Sequence, residues 1–182
     1  YNAGSVSGLE YVGGVSGINY TGSITDCYNI GSVSGSEGNV GGVNGYNDGG
    51  TITNSYNAGS VSGTERYVGG VSGYNDGGTI TNCYYDSAIY TGNAIGANDG
   101  TTEKVEGKTT EQFKTGEVAY LLQNGQSEEI WGQTIGTDTY PVLHGPKVYK
   151  SITYMGCNDS SEIASVSYSN EKKDVFLSLI HI

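Results

Sequence analysis

The chain has 182 residues, room for one domain with an appendage, and an unusual make-up: 31 Gly and 16 Tyr against 2 Pro, 2 Phe, 1 Trp and 1 Met. So much Gly with so little Pro excludes collagen and a Pro-rich linker. Nineteen acids against 8 bases leave a charge of −11, and no run nears the roughly 18 apolar residues of a membrane span, so neither a nucleic-acid partner nor a membrane span is expected.

Residues 1–100 hold 24 of the 31 Gly, eight acids and a single base, Arg66, whereas residues 101–182 hold the other 7 bases, the Trp, both Pro and both His. A step of this size marks a change of module near Asp99-Gly100. Within the first half the chain repeats itself. Tyr1-Asn-Ala-Gly-Ser-Val-Ser-Gly8 returns at Tyr28–Gly35 and Tyr56–Gly63, after 27 and then 28 residues, and Tyr84 opens a fourth copy. Each copy continues with Val-Gly-Gly-Val-(Ser/Asn)-Gly at 12–17, 40–45 and 68–73, and closes on Gly-(Ser/Thr)-Ile-Thr at 22–25, 50–53 and 78–81. A period of this length is the mark of a stacked array.

Each repeat carries three short β-branched segments, centred in the first copy on Val6, Val12/Val15 and Ile24, with Ser or Thr alternating beside them. Gly and Asn-Asp-Gly-Gly clusters between them supply the positive φ of tight corners. Three strands and three turns in about 28 residues predict one coil of a parallel β-solenoid, right-handed by the crossover rule, each coil about 4.8 Å from the next. In such a stack residue n lies over n+28, so Asn29 and Asn57 are placed for an amide ladder and Tyr28, Tyr56 and Tyr84 for a ring stack. The first coil is expected to leave an open edge. Cys27 and Cys83 sit two coils apart, about 9.6 Å, too far for a disulfide, and are expected as small inward residues; Cys157 has no evident partner. With no CxxC and no His near a Cys, neither a metal nor any cofactor is expected.

The run Val-Gly-Gly-Val-Ser-Gly-Tyr-Asn-Asp-Gly-Gly-Thr-Ile-Thr-Asn-Cys-Tyr at 68–84, with Asn-Ala-Gly-Ser-Val-Ser-Gly elsewhere, resembles the Glug-motif repeat over residues 1–100. The name-giving Gly-Leu-x-Gly is here Gly-Val-Ser-Gly or Gly-Val-Asn-Gly, with Val keeping the inward packing role. The resemblance implies a bacterial secreted or surface-anchored protein, adhesin-like or related to the repeat regions of IgA1-specific metallopeptidases. It brings no catalytic residue with it.

Ala94–Gly100 reads as a decayed copy of Val71–Gly77, so the array divides near 1–27, 28–55, 56–83 and a partial 84–100. Residues 101–146 read as a C-terminal cap. Thr109 and Gln112 have capping-box spacing, one short helix carries Val118, Leu121 and Leu122 on a face before Asn124-Gly125, and Trp131 and a final strand at Tyr140–Leu143 follow. Similar Trp…Tyr-Pro-x-Leu tails follow Glug arrays. Residues 147–176 read as the start of a further module or linker, and Leu177–Ile182 resembles translated adapter readthrough. With an internal start and no leader, the chain is expected to be a fragment.

Asp48 and Asp76, in Asp-Gly-Gly turns, invite a calcium or a paired-carboxylate reading. Calcium-binding β-rolls need a nonapeptide period, and repeated acids signal structure, so solvated Asx turns are expected instead. His144 and His181 lie outside the repeats, so no Ser-His-Asp set can be built there; His144 is expected in an exposed turn. The Gly-rich runs lack the Lys-Ser/Thr and the helix of a phosphate loop. The candidate ligand residues are therefore aromatic. Tyr46 and Tyr74 hold equivalent corner positions, with Tyr20 near the same place in the first coil, as a strip for stacking on sugar rings or a protein. The competing reading is that the three rings pack over the turns and stack on each other, as ladders in such arrays do.

The expected function is a non-enzymatic, extracellular repeat segment of a bacterial adhesin-like protein, a rigid stalk or contact surface. Its expected partners are a host glycan or surface protein and further domains of the same polypeptide. The alternative is an accessory, non-catalytic region of a secreted metallopeptidase or carbohydrate-active enzyme.

Overall fold

A computed structural model describes residues 1–64, 66–123, 125–154 and 163–173. The expectations for Asn124, Cys157, His181 and the 177–182 tail concern residues outside this set. The chain forms two compact units, Tyr1–Phe113 and Lys114–Ile182.

The first unit is β throughout until its last turn. The first repeat contributes β1 (Val6–Gly13), β2 (Ser16–Tyr20) and β3 (Ser23–Thr25). The second contributes β4 (Tyr28–Asn29), β5 (Val33–Gly41), β6 (Asn44–Asp48) and β7 (Thr51–Thr53). The third contributes β8 (Tyr56–Asn57), β9 (Val61–Gly63), β10 (Val68–Gly69), β11 (Ser72–Asp76) and the start of β12 (Thr79–Asp86). β13 (Ile95–Asn98) and β14 (Thr101–Lys108) follow.

Equivalent strands of successive repeats pair in parallel. One sheet joins β1, β5, β9 and β10; a second runs β2-β6-β11-β13; a third gathers β3, β7, β12, β14, β8 and β4. The register carries like onto like: Val6 to Val33 to Val61, Ile24 to Ile52 to Ile80, Asn19 to Asn47 to Asn75 to Asn98. Largely β content with parallel sheets is consistent with a β-helix-like fold. The one-residue difference between the first two spacings is absorbed by a register shift between Gly8 and Glu10, opposite which Gly38 adopts φ 125°.

Two apolar clusters fill the interior. Ile24, Val43, Ile52, Val71, Ile80, Cys83 and Tyr85 form one, and Val12, Val33, Val40 and Val61 the other, with Tyr90 packed against both. Burying a residue such as Ile52 or Ile80 contributes roughly 1.5–3 kcal/mol; Ile52 lies between Ile24 and Ile80, and Ile80 between Ile52 and Thr102. Cys83 is buried and Cys27 half-buried, and both are free thiols.

Amide ladders run beside these clusters. Asn2 Nδ2 donates to Asn29 Oδ1 at 2.7 Å and Asn29 Nδ2 to Asn57 Oδ1 at 2.8 Å. A second ladder, unforeseen from the sequence, links Asn19, Asn47, Asn75 and Asn98 at 2.8, 2.7 and 2.7 Å. The rings of Tyr1, Tyr28 and Tyr56 stack with centroids 4.9 and 5.2 Å apart and planes within 4° of parallel. Phe113 tilts against Tyr56 at 5.6 Å.

The corners are left-handed, but glycine supplies them less often than expected. Three positions recur with positive φ: Tyr11, Asn39 and Tyr67; Thr21, Gly49 and Gly77; and Asp26, Asn54, Asn82 and Lys104. Asn and Asp tolerate this conformation, whereas Tyr and Thr hold it at a cost of order 1–3 kcal/mol each that the surrounding ladders offset. Glycine is indispensable for another reason at Gly59, where an added Cβ would collide with the Gly31 carbonyl oxygen of the repeat below.

The fourth repeat is shorter. Ser72 pairs with Ile95 and Thr79 with Thr101, offsets of 23 and 22 in place of 28. Among the described residues it adds no strand to the first sheet. Instead the Tyr90 hydroxyl donates to the Val68 carbonyl at 2.9 Å, and buried Asp86 accepts from Ala88 N at 2.9 Å and Thr110 Oγ1 at 2.7 Å. β14 carries the ladder to Lys108, eight residues past the composition step.

After β14 come two helices where one was expected: α1 (Thr110–Lys114) and α2 (Glu117–Gln123). The capping box forms as read, with Gln112 N donating to Thr109 Oγ1 at 3.2 Å and Thr109 N to Gln112 Oε1 at 3.0 Å. Gly116, at φ 88°, is the physical reason for the break. Within the second unit Val118, Ala119, Leu122 and Trp131 are buried, while Leu121 is half-buried. β15 (Trp131–Gly132) pairs antiparallel with β16 (Val142–Leu143), and β17 (Tyr149–Tyr154) with β18 (Ile163–Ser169). Asn170 ties these pairs together, its Nδ2 donating to the carbonyls of Gln133 at 2.7 Å and Lys147 at 3.0 Å, its Oδ1 accepting from Ile135 N at 2.8 Å. Residues on both sides of position 147 thus share one compact unit.

Candidate functional site

The second sheet turns one face inward and one outward. Asn19, Asn47 and Asn75 point in and are buried, so by strand alternation residues 18, 46 and 74, and 20, 48 and 76, point out. Tyr46 and Tyr74 lie in register, with ring centroids 5.5 Å apart and planes at 46°. Tyr20 does not share their row. It pairs with Asp48, two positions further along the same face, and Ile18 is the residue opposite Tyr46. Tyr20 is 72 % exposed.

The structure adds two rings that the sequence reading missed. Tyr11 lies 5.6 Å from Tyr46, and Tyr67 lies 5.2 Å from Tyr74 in a stacked arrangement. The result is a continuous row, Tyr11–Tyr46–Tyr74–Tyr67, on an outer surface of the repeats. The signal was present: Tyr precedes Val-Gly-Gly in the first and third repeats, and Asn39 holds that place in the second. What no pattern shows is that a left-handed corner at Tyr11 and Tyr67 swings these rings onto the neighbouring strand.

The tyrosine hydroxyls are fixed by acids of the following repeat. Tyr46 OH donates to Asp76 Oδ2 at 2.8 Å, and Tyr74 OH to Asp99 Oδ2 at 2.6 Å. Losing the proton would break the bond and set two negative charges side by side, so both phenols are pushed up to about 12. Asp48 and Asp76 do stack in register, as their spacing required. Asp76, however, is engaged as a hydrogen-bond acceptor. The Asp48 carboxylate has no hydrogen-bond or ion-pair partner among the described residues.

Elsewhere the chemistry is sparse. Among the described residues no group of three His, Cys, Asp or Glu could hold a metal ion, and no helix is long and apolar enough to cross a membrane. His144 is exposed at a left-handed turn, φ 57°, with its N–H donating to the Ile130 carbonyl. A shallow groove of about 300 Å³ runs across Gly8, Gly35 and Gly63 between Ser34, Ser36, Ser62 and Thr64. What the arrangement offers is an ordered outer surface of aromatic rings and carboxylates.

No curated protein and no solved structure matches the chain. One family does: the GLUG motif matches residues 8–34, from the first repeat into the start of the second, and again 64–90. The two matched stretches lie within the first unit and include its Val-Gly-Gly-Val-Ser-Gly runs at 12–17 and 68–73, in agreement with the resemblance those runs carry.

Proposed function

We propose that residues 1–108 stack as a right-handed β-solenoid of about 28 residues per coil. This solenoid is a non-enzymatic repeat segment of a bacterial cell-surface or secreted adhesin-like protein, held outside the cell as a rigid stalk with a contact face. The observation that carries the reading is the Tyr11–Tyr46–Tyr74–Tyr67 row: four rings in contact, two of them locked by carboxylates, on an outer surface. Ordered, part-exposed rings lose little conformational freedom on binding, which suits them to contact. The ladders support the stalk role, since each repeat is bonded to the next through backbone, amides and rings together.

The test uses the full chain coupled to beads and allowed to settle on mucin-coated and bare glass under flow. Retention on mucin should fall about tenfold in Tyr46→Ala/Tyr74→Ala with the far-UV spectrum unchanged, from the loss of two anchoring rings. Equal retention of parent and variant would remove the contact face from the proposal, and release of product from mucin by the parent would remove the non-enzymatic role.

A further inference from the structure

We infer that the outer face beside Asp48 is a subsite for a neutral sugar, whose hydroxyl takes the place of a phenol that the first repeat lacks. The inference rests on the contact-face reading and narrows it to a ligand class and a position.

This face obeys one rule twice. The tyrosine of one repeat donates its hydroxyl to the aspartate of the next: Tyr46 to Asp76 at 2.8 Å, Tyr74 to Asp99 at 2.6 Å. One repeat earlier the rule calls for a tyrosine at position 18 reaching Asp48. Position 18 is Ile, which pairs with Tyr46 in register and has no hydroxyl to give. Asp48 therefore keeps the placement of Asp76, in register and on the same face, without the donor. A further repeat stacked on β2 would not supply one, because its tyrosine would face position 20, and that residue is Tyr.

The surroundings say what kind of donor fits. Ile18 is 51 % exposed, Tyr20 and Tyr11 are exposed beside it, and Tyr11 touches the Tyr46 ring. A ligand here must offer an apolar face to these side chains and an O–H or N–H to the carboxylate. Residues 1–100 contain one base, Arg66, against eight acids, so an anionic ligand finds no countercharge. The donor this face already uses is a neutral hydroxyl on a ring, bonded to one oxygen of the carboxylate; an arginine fork engages both oxygens. A pyranose supplies a ring hydroxyl and a C–H face together. The geometry favours it over a cationic peptide.

The experiment immobilises the full chain and passes over it soluble neutral oligosaccharides of glucose, galactose, mannose and N-acetylglucosamine, with an octa-arginine peptide as the charged comparison. Binding is read at about 0.05 M and about 0.5 M salt, since screening weakens ionic contacts and spares neutral ones. At least one oligosaccharide should bind with little salt dependence. Asp48→Asn should weaken it about tenfold by removing a charge-assisted bond, and Ile18→Tyr should abolish it by occupying Asp48 from within. Ile18→Tyr installs a residue the other repeats already carry, so its melting temperature should equal or exceed that of the parent. The inference is overturned if no oligosaccharide binds, if Ile18→Tyr binds as the parent does, or if only octa-arginine binds and is lost at high salt. Beads that adhere to mucin while Ile18→Tyr changes nothing would sink this subsite and leave the contact face standing.

Discussion

Asn47 is the residue on which the second amide ladder turns, and Asn47→Ala tests whether such ladders hold the repeats together. The side chain is fully buried. Its Nδ2 donates to Asn75 Oδ1 at 2.7 Å and to the Gly50 carbonyl at 3.0 Å, and its Oδ1 accepts from Asn19 Nδ2 at 2.8 Å. Three bonds at about 1 kcal/mol net each, plus about 1 kcal/mol for stranding the Asn75 acceptor in the interior, give a loss of about 4 kcal/mol. Asn19 loses less, because its amide also reaches the Gly22 and Thr51 carbonyls at 3.3 Å. Asn2→Ala, at the solvent end of the other ladder, should cost about 1 kcal/mol, since water replaces what is removed. In urea followed by far-UV circular dichroism, with a slope of about 2 kcal/mol per molar, these become midpoint shifts of about 2 M and about 0.5 M. Equal shifts for the two variants would refute the ladder as a source of stability. Asn47→Asp sharpens the test. An ionised carboxylate cannot donate to Asn75, so the folded state favours the protonated acid and its pKa rises above the unfolded value of about 3.9. Stability should therefore be recovered below about pH 4 and lost as pH climbs through the folded pKa. A gap to the parent that widens at low pH would contradict this.

Other outcomes follow from single sites. Asn44 is fully buried with no partner for Nδ2 or Oδ1 among the described residues, while the equivalent Ser16 and Ser72 donate to the carbonyls two residues ahead. Asn44→Ser should thus raise stability by about 1–3 kcal/mol in the same urea assay, and a destabilised variant would show that the amide's bulk outweighs its unmet bonds. Burial pushes the Cys83 thiol up to about 12 and raises that of half-buried Cys27 as well. Iodoacetamide at mildly alkaline pH should label Cys27 slowly and leave Cys83 untouched until urea is added, as read by peptide mass. Asp76→Asn keeps an acceptor for Tyr46 but removes its charge, so phenolate absorbance should show one titration moving from about 12 toward the ordinary value of 10. In the parent, the Tyr46–Asp76 bond needs the protonated phenol: it is fully present below pH 10 and lost as pH rises through about 12.

What could be read ahead of the structure is what repeats strictly. Val, Ile, Asn and Tyr at a fixed offset specify parallel pairing, because shifting any strand by one residue would turn Ile52 and Ile80 outward and expose the cluster they fill. The tyrosine strip was legible only as far as Tyr46 and Tyr74. Tyr20 misled because proximity in sequence is not register: two positions along a strand keep the face and change the neighbour, placing it beside Asp48. Tyr11 and Tyr67 escaped because their rings arrive by a backbone conformation that tyrosine seldom adopts. The break between α1 and α2 hung on Gly116 alone, and propensity along such a short stretch does not distinguish one helix from two.

The shortened fourth repeat has a consequence for how the chain finds its frame. Three similar repeats approach a translational symmetry: a strand displaced by one whole period meets partners almost as good, and the penalties within the repeats are confined to local differences such as the register shift at Gly8/Glu10 and Ile18 opposite Tyr46. The change of offset from 28 to 23 and 22, with Tyr90 set across the end of the first sheet and Asp86 holding the turn, ends that symmetry at one place. Only one alignment brings Tyr90 to Val68 and Thr110 to Asp86. The irregular repeat therefore serves as the index mark from which the regular ones are counted, and an array lengthened by inserting whole periods upstream of it would keep the same frame.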